Sequence, residues 1–229
     1  MAMNEAWYIP AKGSDRLLVV NHPMACNRYG FPGQLEPWHT ELGVFGGFEV
    51  DFLTELRFLH DPDYNILTYD LRNHGLSSDT NGVTSGLGPI EARDVVGSLR
   101  YVRSQDSPAA MKLGLYSRYM GANSTIGAMN FWPEEFGGVL ALVILNSVSG
   151  KTFIEQGAKN IGLDPDMARE ALATKLVDLC GMRPDDESPQ LYAHSVTAPT
   201  LMAQLRHDFL IYAEQDGTEI FDAIGAEDK

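Results

Sequence analysis

Apolar residues in this chain fall into two patterns, short continuous runs and longer segments with helical spacing. The continuous runs resemble strands that are buried on both faces of a parallel sheet. They predict strands at residues 17–21, 65–70, 111–115, 139–148 and 199–205, preceded by a strand at 6–11. Segments with apolar residues three or four positions apart predict helices at residues 48–60, 90–103, 120–132 and 214–224. We therefore predict an α/β fold, a mostly parallel sheet with helices on both faces.

Two segments depart from this alternation. Residues 27–47 are rich in Gly, Pro and aromatic residues, which predicts a long loop near a site. Residues 150–199 contain Asp164-Pro165-Asp166, which is typical of a helix start, and Gly181, which is typical of a helix end. A helical excursion is therefore expected between two strands of the sheet.

Composition narrows the classes of molecule that we expect this protein to bind. The 229 residues are 44% hydrophobic, enough for one large core, and the formal net charge is −14. An acidic chain is a poor partner for nucleic acid or an anionic membrane, so we expect a small-molecule ligand and leave a homo-oligomer open. The N-terminus lacks the features of a signal peptide and no apolar run spans a bilayer, which predicts a soluble cytoplasmic protein.

The two cysteines indicate no metal centre. Cys26 and Cys180 lie far apart and lack CxxC spacing, so we expect reduced thiols, no cysteine zinc site and no cofactor.

The most informative stretch is residues 114–124, GLYSRYMGANS, which runs from a predicted strand through a tight turn into a predicted helix. Small residues, Ser117 and Gly121, stand two positions before and two after Tyr119. With Ser117 at the tip, the flanking residues would be Leu115 and Tyr119, which are too large. The pattern resembles the nucleophile elbow of the α/β-hydrolase superfamily, and the resemblance places Tyr119 at the nucleophile position. A phenol has a pKa of about 10 and is a poor nucleophile when protonated.

A second segment strengthens this resemblance. Residues 70–77, DLRNHGLS, resemble the Asp-x-Arg-x-His-Gly-x-Ser segment that follows the corresponding strand in many superfamily members. Its role there is a hydrogen-bonded turn that braces the elbow. We therefore assign His74 a structural role, since no second metal ligand stands at helical spacing from it.

The resemblance also implies an oxyanion hole. In the superfamily the turn after the strand at 17–21 supplies one backbone N–H, but Pro23 has none. We therefore expect the amide of Met24, paired with that of Met120, to bind the oxyanion. Cys26, on the same loop, is a less favoured alternative nucleophile, because a buried cysteine ordinarily acts as a small hydrophobe.

The last parts of the resemblance are a cap and a catalytic acid. Insertions after the strand at 139–148 commonly form a lid, so we divide the chain into core residues 1–149, a small helical cap at 150–198 and core residues 199–229. A surface excursion without a binding role is the alternative. The acid of the superfamily follows the strand at 199–205, which makes Asp208 the candidate. A solvated turn carboxylate is the alternative there.

One expected part is missing. A further strand and a loop carrying the catalytic histidine should follow the acid, and none of the six histidines occupies such a position. The leading hypothesis is a hydrolase acting on a small ester, thioester or lactone, in a form truncated at its C-terminus and altered at the nucleophile. The second is a non-catalytic hydrolase-like protein that binds a small ligand beside Tyr119. The third is a lyase or cyclase in which the Tyr119 phenol is an acid or a hydrogen-bond donor. Whether the chain is an enzyme is thus left open.

Overall fold

The structure, a computed structural model, describes residues 3–36, 38–41, 49–61, 63–80, 85–208, 211 and 216–229. Its strands are β1 (Ala6–Ile9), β2 (Arg16–Asn21), β3 (Gly30–Pro32), β4 (Glu49–Asp51), β5 (Asn65–Tyr69), β6 (Lys112–Arg118), β7 (Val139–Leu145) and β8 (Thr200–Ala203). Its α-helices are α1 (Trp38–Glu41), α2 (Phe52–His60), α3 (Ala92–Ser104), α4 (Met120–Phe131), α5 (Gly150–Asn160), α6 (Pro165–Cys180) and α7 (Thr218–Ala223).

The central sheet has the strand order β1-β5-β2-β6-β7-β8. Strand β1 runs antiparallel to β5, and the other neighbouring strands pair in parallel. Asn21 pairs with Ser117 and Arg118 with Leu145, so β2, β6 and β7 end at the same edge of the sheet. The predicted mostly parallel sheet is confirmed, and its carboxyl edge gathers the candidate site.

Helices cover both faces of this sheet. Side chains alternate between the faces of a strand. Val19 therefore belongs to one hydrophobic cluster, with Leu99 of α3 and Ile126 of α4. Val20 belongs to another, with Leu56 of α2. The continuous apolar runs of the sequence follow from burial on both sides.

The predicted loop at residues 27–47 is wrong in part. Gly30–Pro32 pairs with Glu49–Asp51 as a small antiparallel sheet, and α1 lies between them; residues 37 and 42–48 of this connection fall outside the described residues. The helix predicted from residue 48 begins at Phe52, because the Asp51 side chain caps it by accepting the N–H groups of Leu53 and Thr54.

The excursion between β7 and β8 is helical, as predicted. Asp164 caps α6 by accepting the Met167 N–H at 2.9 Å, and Gly181 ends it with φ 75°. The last predicted helix is observed over Thr218–Ala223, while residues 214 and 215 lie outside the described residues. In the described part of the chain, no helix is both long and apolar enough to span a bilayer.

Candidate active site

The predicted elbow lies between β6 and α4. Tyr119 has φ 46° and ψ −115°, a backbone conformation that is strained for an aromatic residue. Hydrogen bonds fix it on both sides: the Tyr119 N–H donates to Leu145 O at 2.8 Å, and the Asn123 N–H donates to Tyr119 O at 3.0 Å. The structure thus places Tyr119 at the tip of the turn, as the sequence pattern predicts.

The small residues on either side explain why the turn can form. A Cβ atom added to Gly121 would lie 2.7 Å from backbone atoms of Asn21 and His22, so only glycine lets α4 cross β2 this closely. Ser117 is fully buried, and its hydroxyl accepts a hydrogen bond from Asn21 Nδ2 at 2.9 Å. Its 2.9 Å contact with Thr125 Oγ1 ties the strand to the helix.

The Asp70–Ser77 segment is the hydrogen-bonded turn that the sequence predicts. The buried Asp70 carboxylate accepts the backbone N–H groups of Arg28 at 2.7 Å and Leu76 at 2.9 Å, and it pairs with the Arg28 guanidinium. Gly75 has φ 54°, and a Cβ atom there would lie 2.2 Å from the Asp70 carboxylate. The turn is closed by Ser77, whose hydroxyl donates to Asp70 O at 2.7 Å.

Arg72 and Asp94 anchor this turn to α3. The Arg72 Nε–H and Nη2–H donate to the two Asp94 carboxylate oxygens at 2.9 and 2.8 Å. The Arg72 backbone N–H also donates to Asp94 Oδ2 at 2.9 Å. Both side chains are buried, and this bidentate arrangement satisfies the pair.

His22 connects the turn to the elbow. Its Nε2 accepts the Leu71 N–H at 2.9 Å, and its Nδ1 donates to Pro23 O at 2.7 Å. Burial, with smaller effects from His74 and Arg118, lowers the pKa of His22 to about 3. His74 lies 5.2 Å away, ring to ring, and its Nδ1 donates to Arg72 O at 2.8 Å. Both histidines are therefore hydrogen-bonded parts of a framework beneath the elbow, which comprises the Asp70–Ser77 segment, Asp94, His22 and Ser117.

The phenol of Tyr119 contacts the candidate acid. Its hydroxyl donates to Asp208 Oδ2 at 2.8 Å and accepts a hydrogen bond from Asn146 Nδ2, also at 2.8 Å. Burial raises the pKa of Tyr119, and the bonded Asp208 carboxylate raises it further. The phenol is therefore neutral and held with its proton directed at Asp208.

Asn146 is the site residue that sequence reasoning missed. Its Oδ1 accepts the Leu205 N–H at 2.8 Å, so it links the elbow tip to the end of β8. The sequence feature that indicates it is its position, since this asparagine directly follows the apolar run of β7. The structure gives Asn146 φ 51°, a conformation that asparagine tolerates better than most residues.

A cavity of about 250 Å³ opens beside the elbow. Met24 and Met120, the predicted oxyanion donors, both line it, together with Tyr119. Much of the remaining wall is apolar, formed by Phe31, Val50, Phe52, Leu87, Val148 and Phe153. The elbow therefore faces a space of the size and character that suits a small, largely apolar molecule.

Cys26 also lines this cavity, but as a thiol. Burial raises the pKa of Cys26 to about 12, although the charge of Arg118 opposes this rise. A thiol that is almost entirely protonated at neutral pH is a weak nucleophile, which agrees with the sequence interpretation of Cys26 as a small hydrophobe.

No histidine among the residues described lines the cavity. His194 and His207 are exposed, and Asp208 accepts a hydrogen bond from the Tyr119 hydroxyl. Across the same described residues, no group of three or more His, Cys, Asp or Glu side chains is arranged to hold a metal ion.

Solved structures with the same architecture were found by structural comparison. An esterase from Pyrococcus furiosus superposes with a TM-score of 0.62 at 16% identity, over 96% of this chain and 77% of the esterase chain. An esterase from Exiguobacterium antarcticum gives a TM-score of 0.61 at 12% identity, over 100% of this chain and 86% of its own. A monoacylglycerol lipase from Paleococcus ferrophilus gives 0.58 at 18% identity, again over 100% and 86%.

Sequence comparisons gave no match, since no family model fits the chain and no curated protein is similar enough to align. The identities with the solved structures are low, so these neighbours establish architecture. Together with the parallel sheet, the strained turn after β6 and the crossing at Gly121, they show that this chain has the fold of the α/β-hydrolase superfamily.

Proposed function

We propose that this protein binds a small ester, thioester or lactone above the elbow, in the manner of an α/β-hydrolase, with low hydrolytic activity while tyrosine occupies the nucleophile position. The observation that supports this most directly is the cavity, which is lined by the elbow tip and by both candidate oxyanion residues.

The backbone around the cavity suits an acyl carbonyl. Met120 is the first residue of α4, and the N–H groups of a first helical turn have no acceptor within the helix. The positive end of the helix dipole adds to the attraction for a developing oxyanion. Met24 follows Pro23 on the opposite loop and supplies the second N–H of the proposed hole.

The chemistry at Tyr119 limits turnover. The ordinary pKa of a phenol is about 10, and burial, followed by the bonded Asp208 carboxylate, raises the pKa of Tyr119 above that value. Loss of the Tyr119 proton at neutral pH is therefore strongly uphill. Asp208 orients the phenol without producing a phenolate, so acyl transfer to Tyr119 is expected to be slow.

Replacing the tip residue tests this proposal. Tyr119→Cys should give a burst of p-nitrophenolate from p-nitrophenyl butyrate, close to one equivalent per protein, because the start of α4 favours a thiolate at this position. Tyr119→Ser should stay near background, since no histidine among the described residues lines the cavity to activate the hydroxyl. Tyr119→Phe should match the wild type if the phenol is not a nucleophile.

Tyr101→Cys is the matched control, since Tyr101 is half-exposed on α3 and is not among the described residues that line the cavity. A burst of similar size in Tyr101→Cys would mean that any accessible thiol is acylated. A folded Tyr119→Cys variant without a burst would overturn the proposed acyl site.

A further inference from the structure

Arg118 is a buried cation whose hydrogen-bonding capacity is not fully used. Its side chain is only 5% exposed, yet neither terminal guanidinium nitrogen has a hydrogen-bond acceptor within the described structure. Buried polar groups of native proteins are nearly always paired, and an unpaired one costs about 1–3 kcal/mol, or more when it is charged. An arginine left in this state needs an explanation.

The groups around Arg118 hold the guanidinium in place without accepting hydrogen bonds from its terminal nitrogens. The guanidinium carbon lies 4.3 Å from the ring centre of Phe52 and 4.6 Å from that of Tyr116. Glu55 forms an ion pair at 2.5 Å from Nη2, but that contact lacks hydrogen-bond geometry. Glu55 also accepts a hydrogen bond from the Tyr116 hydroxyl. Its side chain is about one-third exposed, so water solvates part of its charge.

Arg118 also faces the site. It lines the cavity beside the elbow and carries the only charged side chain among the described lining residues. Its charge reaches the cavity wall, because it acts to lower the pKa of Cys26, which lines the cavity. The cavity thus combines apolar walls with one planar cation, whose terminal nitrogens are enclosed and lack a hydrogen-bond acceptor among the described residues.

We propose that Arg118 is a carboxylate subsite, and that the preferred ligand of this cavity is an acyl compound that carries a carboxylate as well as its ester, thioester or lactone group. A carboxylate matches the fork geometry of a guanidinium better than other common anions of small metabolites, apart from phosphate. The apolar volume next to Arg118 takes the carbon chain between the two groups. This inference rests on the proposed function, because it names the substrate class of the same site.

The test compares two probes that differ in one charge. Monomethyl succinate carries a carboxylate and an ester, whereas dimethyl succinate is neutral and of nearly equal size. Calorimetric or NMR titration of the wild-type protein at neutral pH should show at least about tenfold tighter binding of the half-ester, as expected for charge-assisted hydrogen bonds. The full chain is used, and slow turnover leaves time for equilibrium binding.

Two variants test whether Arg118 causes the preference for the half-ester over the diester. Arg118→Gln should remove it, lowering affinity for the half-ester about tenfold while changing the diester little. Glu55→Gln should strengthen half-ester binding several-fold, because it removes the carboxylate that competes for the guanidinium. Glu55 is partly exposed, so this variant decides the question even if Arg118→Gln fails to fold.

The outcomes separate the two proposals. Equal binding of both probes, or an unchanged preference in Arg118→Gln and Glu55→Gln, overturns the carboxylate subsite and leaves the acyl site standing. Tighter binding of inorganic phosphate than of the half-ester, competitive with it, overturns the choice of carboxylate. Binding of neither ester probe, together with no burst in Tyr119→Cys, overturns both proposals.

Discussion

Arg72 follows β5 and Arg118 ends β6, two strands of the same sheet with β2 between them. The two arginines are about equally buried, at 6% and 4% exposed. Their surroundings differ. The Arg72 side chain places two donors on Asp94 at hydrogen-bond distance. The Arg118 side chain has an ion pair with Glu55 and no hydrogen-bond acceptor for its terminal nitrogens in the part of the chain described.

The same contrast holds for the two regions around these arginines. Beneath the elbow, Asp70, His22 and Ser117 are tied into a framework of satisfied hydrogen bonds. On the cavity side, the terminal nitrogens of Arg118 are enclosed without a hydrogen-bond acceptor, beside a space that a ligand can fill. A buried group that is already paired stabilises the fold, whereas one that lacks a partner raises the affinity for whatever supplies it.

The strongest test of this contrast substitutes methionine for the framework arginine, Arg72. Arg72→Met should lower the free energy of unfolding by about 3–5 kcal/mol, because it leaves the Asp94 carboxylate buried without its cation. Urea denaturation followed by circular dichroism measures this. A loss below about 1 kcal/mol would show that the Arg72–Asp94 pair is not the anchor that its geometry indicates.

The crossing beneath the elbow gives the next largest effect. Gly121→Ala should destabilise the protein by about 3 kcal/mol, the upper end for overpacking, because the new methyl group meets the backbone of β2 at 2.7 Å. Gly157→Ala in α5 is the matched control, since no atom lies within 4 Å of its added Cβ. That change should stabilise the protein by about 0.5–1 kcal/mol. Equal effects of the two substitutions would contradict the close crossing.

Much of the framework could be predicted from the sequence, because it depends on local rules. Continuous apolar runs located the parallel strands, and small residues around Tyr119 fixed the register of the elbow. The candidate acid, Asp208, was placed by its position after the strand at 199–205, and the structure bonds it to Tyr119. That contact leaves its proposed catalytic role a prediction.

The cavity side could not be predicted in the same way. An elbow directs adjacent side chains apart, and Arg118 and Tyr119 do bond different partners, Glu55 and Asp208, yet both line the cavity. Glu55 lies 63 positions before Arg118, and nothing in the local sequence links them. Pairing that depends on the packing of α2 against the sheet becomes visible only in three dimensions. The small β3–β4 sheet was missed for the same reason.

The buried His22 gives a pH-dependent test of the framework. Its pKa is about 3 in the folded protein and about 6.5 in an unfolded chain, so the unfolded state gains a proton first as the pH falls. The stability contribution is complete above pH 6.5 and is lost progressively towards pH 3, by about 2 kcal/mol at pH 5. Other groups titrate in this range, so the informative quantity is the difference between variants.

In His22→Gln, the loss of unfolding free energy between about pH 8 and pH 5 should therefore be smaller than in the wild type by about 2 kcal/mol, even if the variant is less stable at pH 8. His194→Gln, which changes an exposed histidine, is the control substitution. Identical slopes in all three proteins would show that His22 takes up its proton at the same pH in the folded and unfolded states, contrary to its burial and its acceptance of the Leu71 N–H.

The smallest expected effect completes the comparison with Arg72. Arg118→Met should change the free energy of unfolding by no more than about 1 kcal/mol, because Glu55 can be hydrated after the change and the unpaired donors of the guanidinium are removed. The same variant should lose the preference for the half-ester probe. Urea denaturation and titration on one protein sample measure both properties. A loss of stability as large as that of Arg72→Met would place Arg118 in the framework, since a group kept for ligand binding can be removed at little cost to the fold.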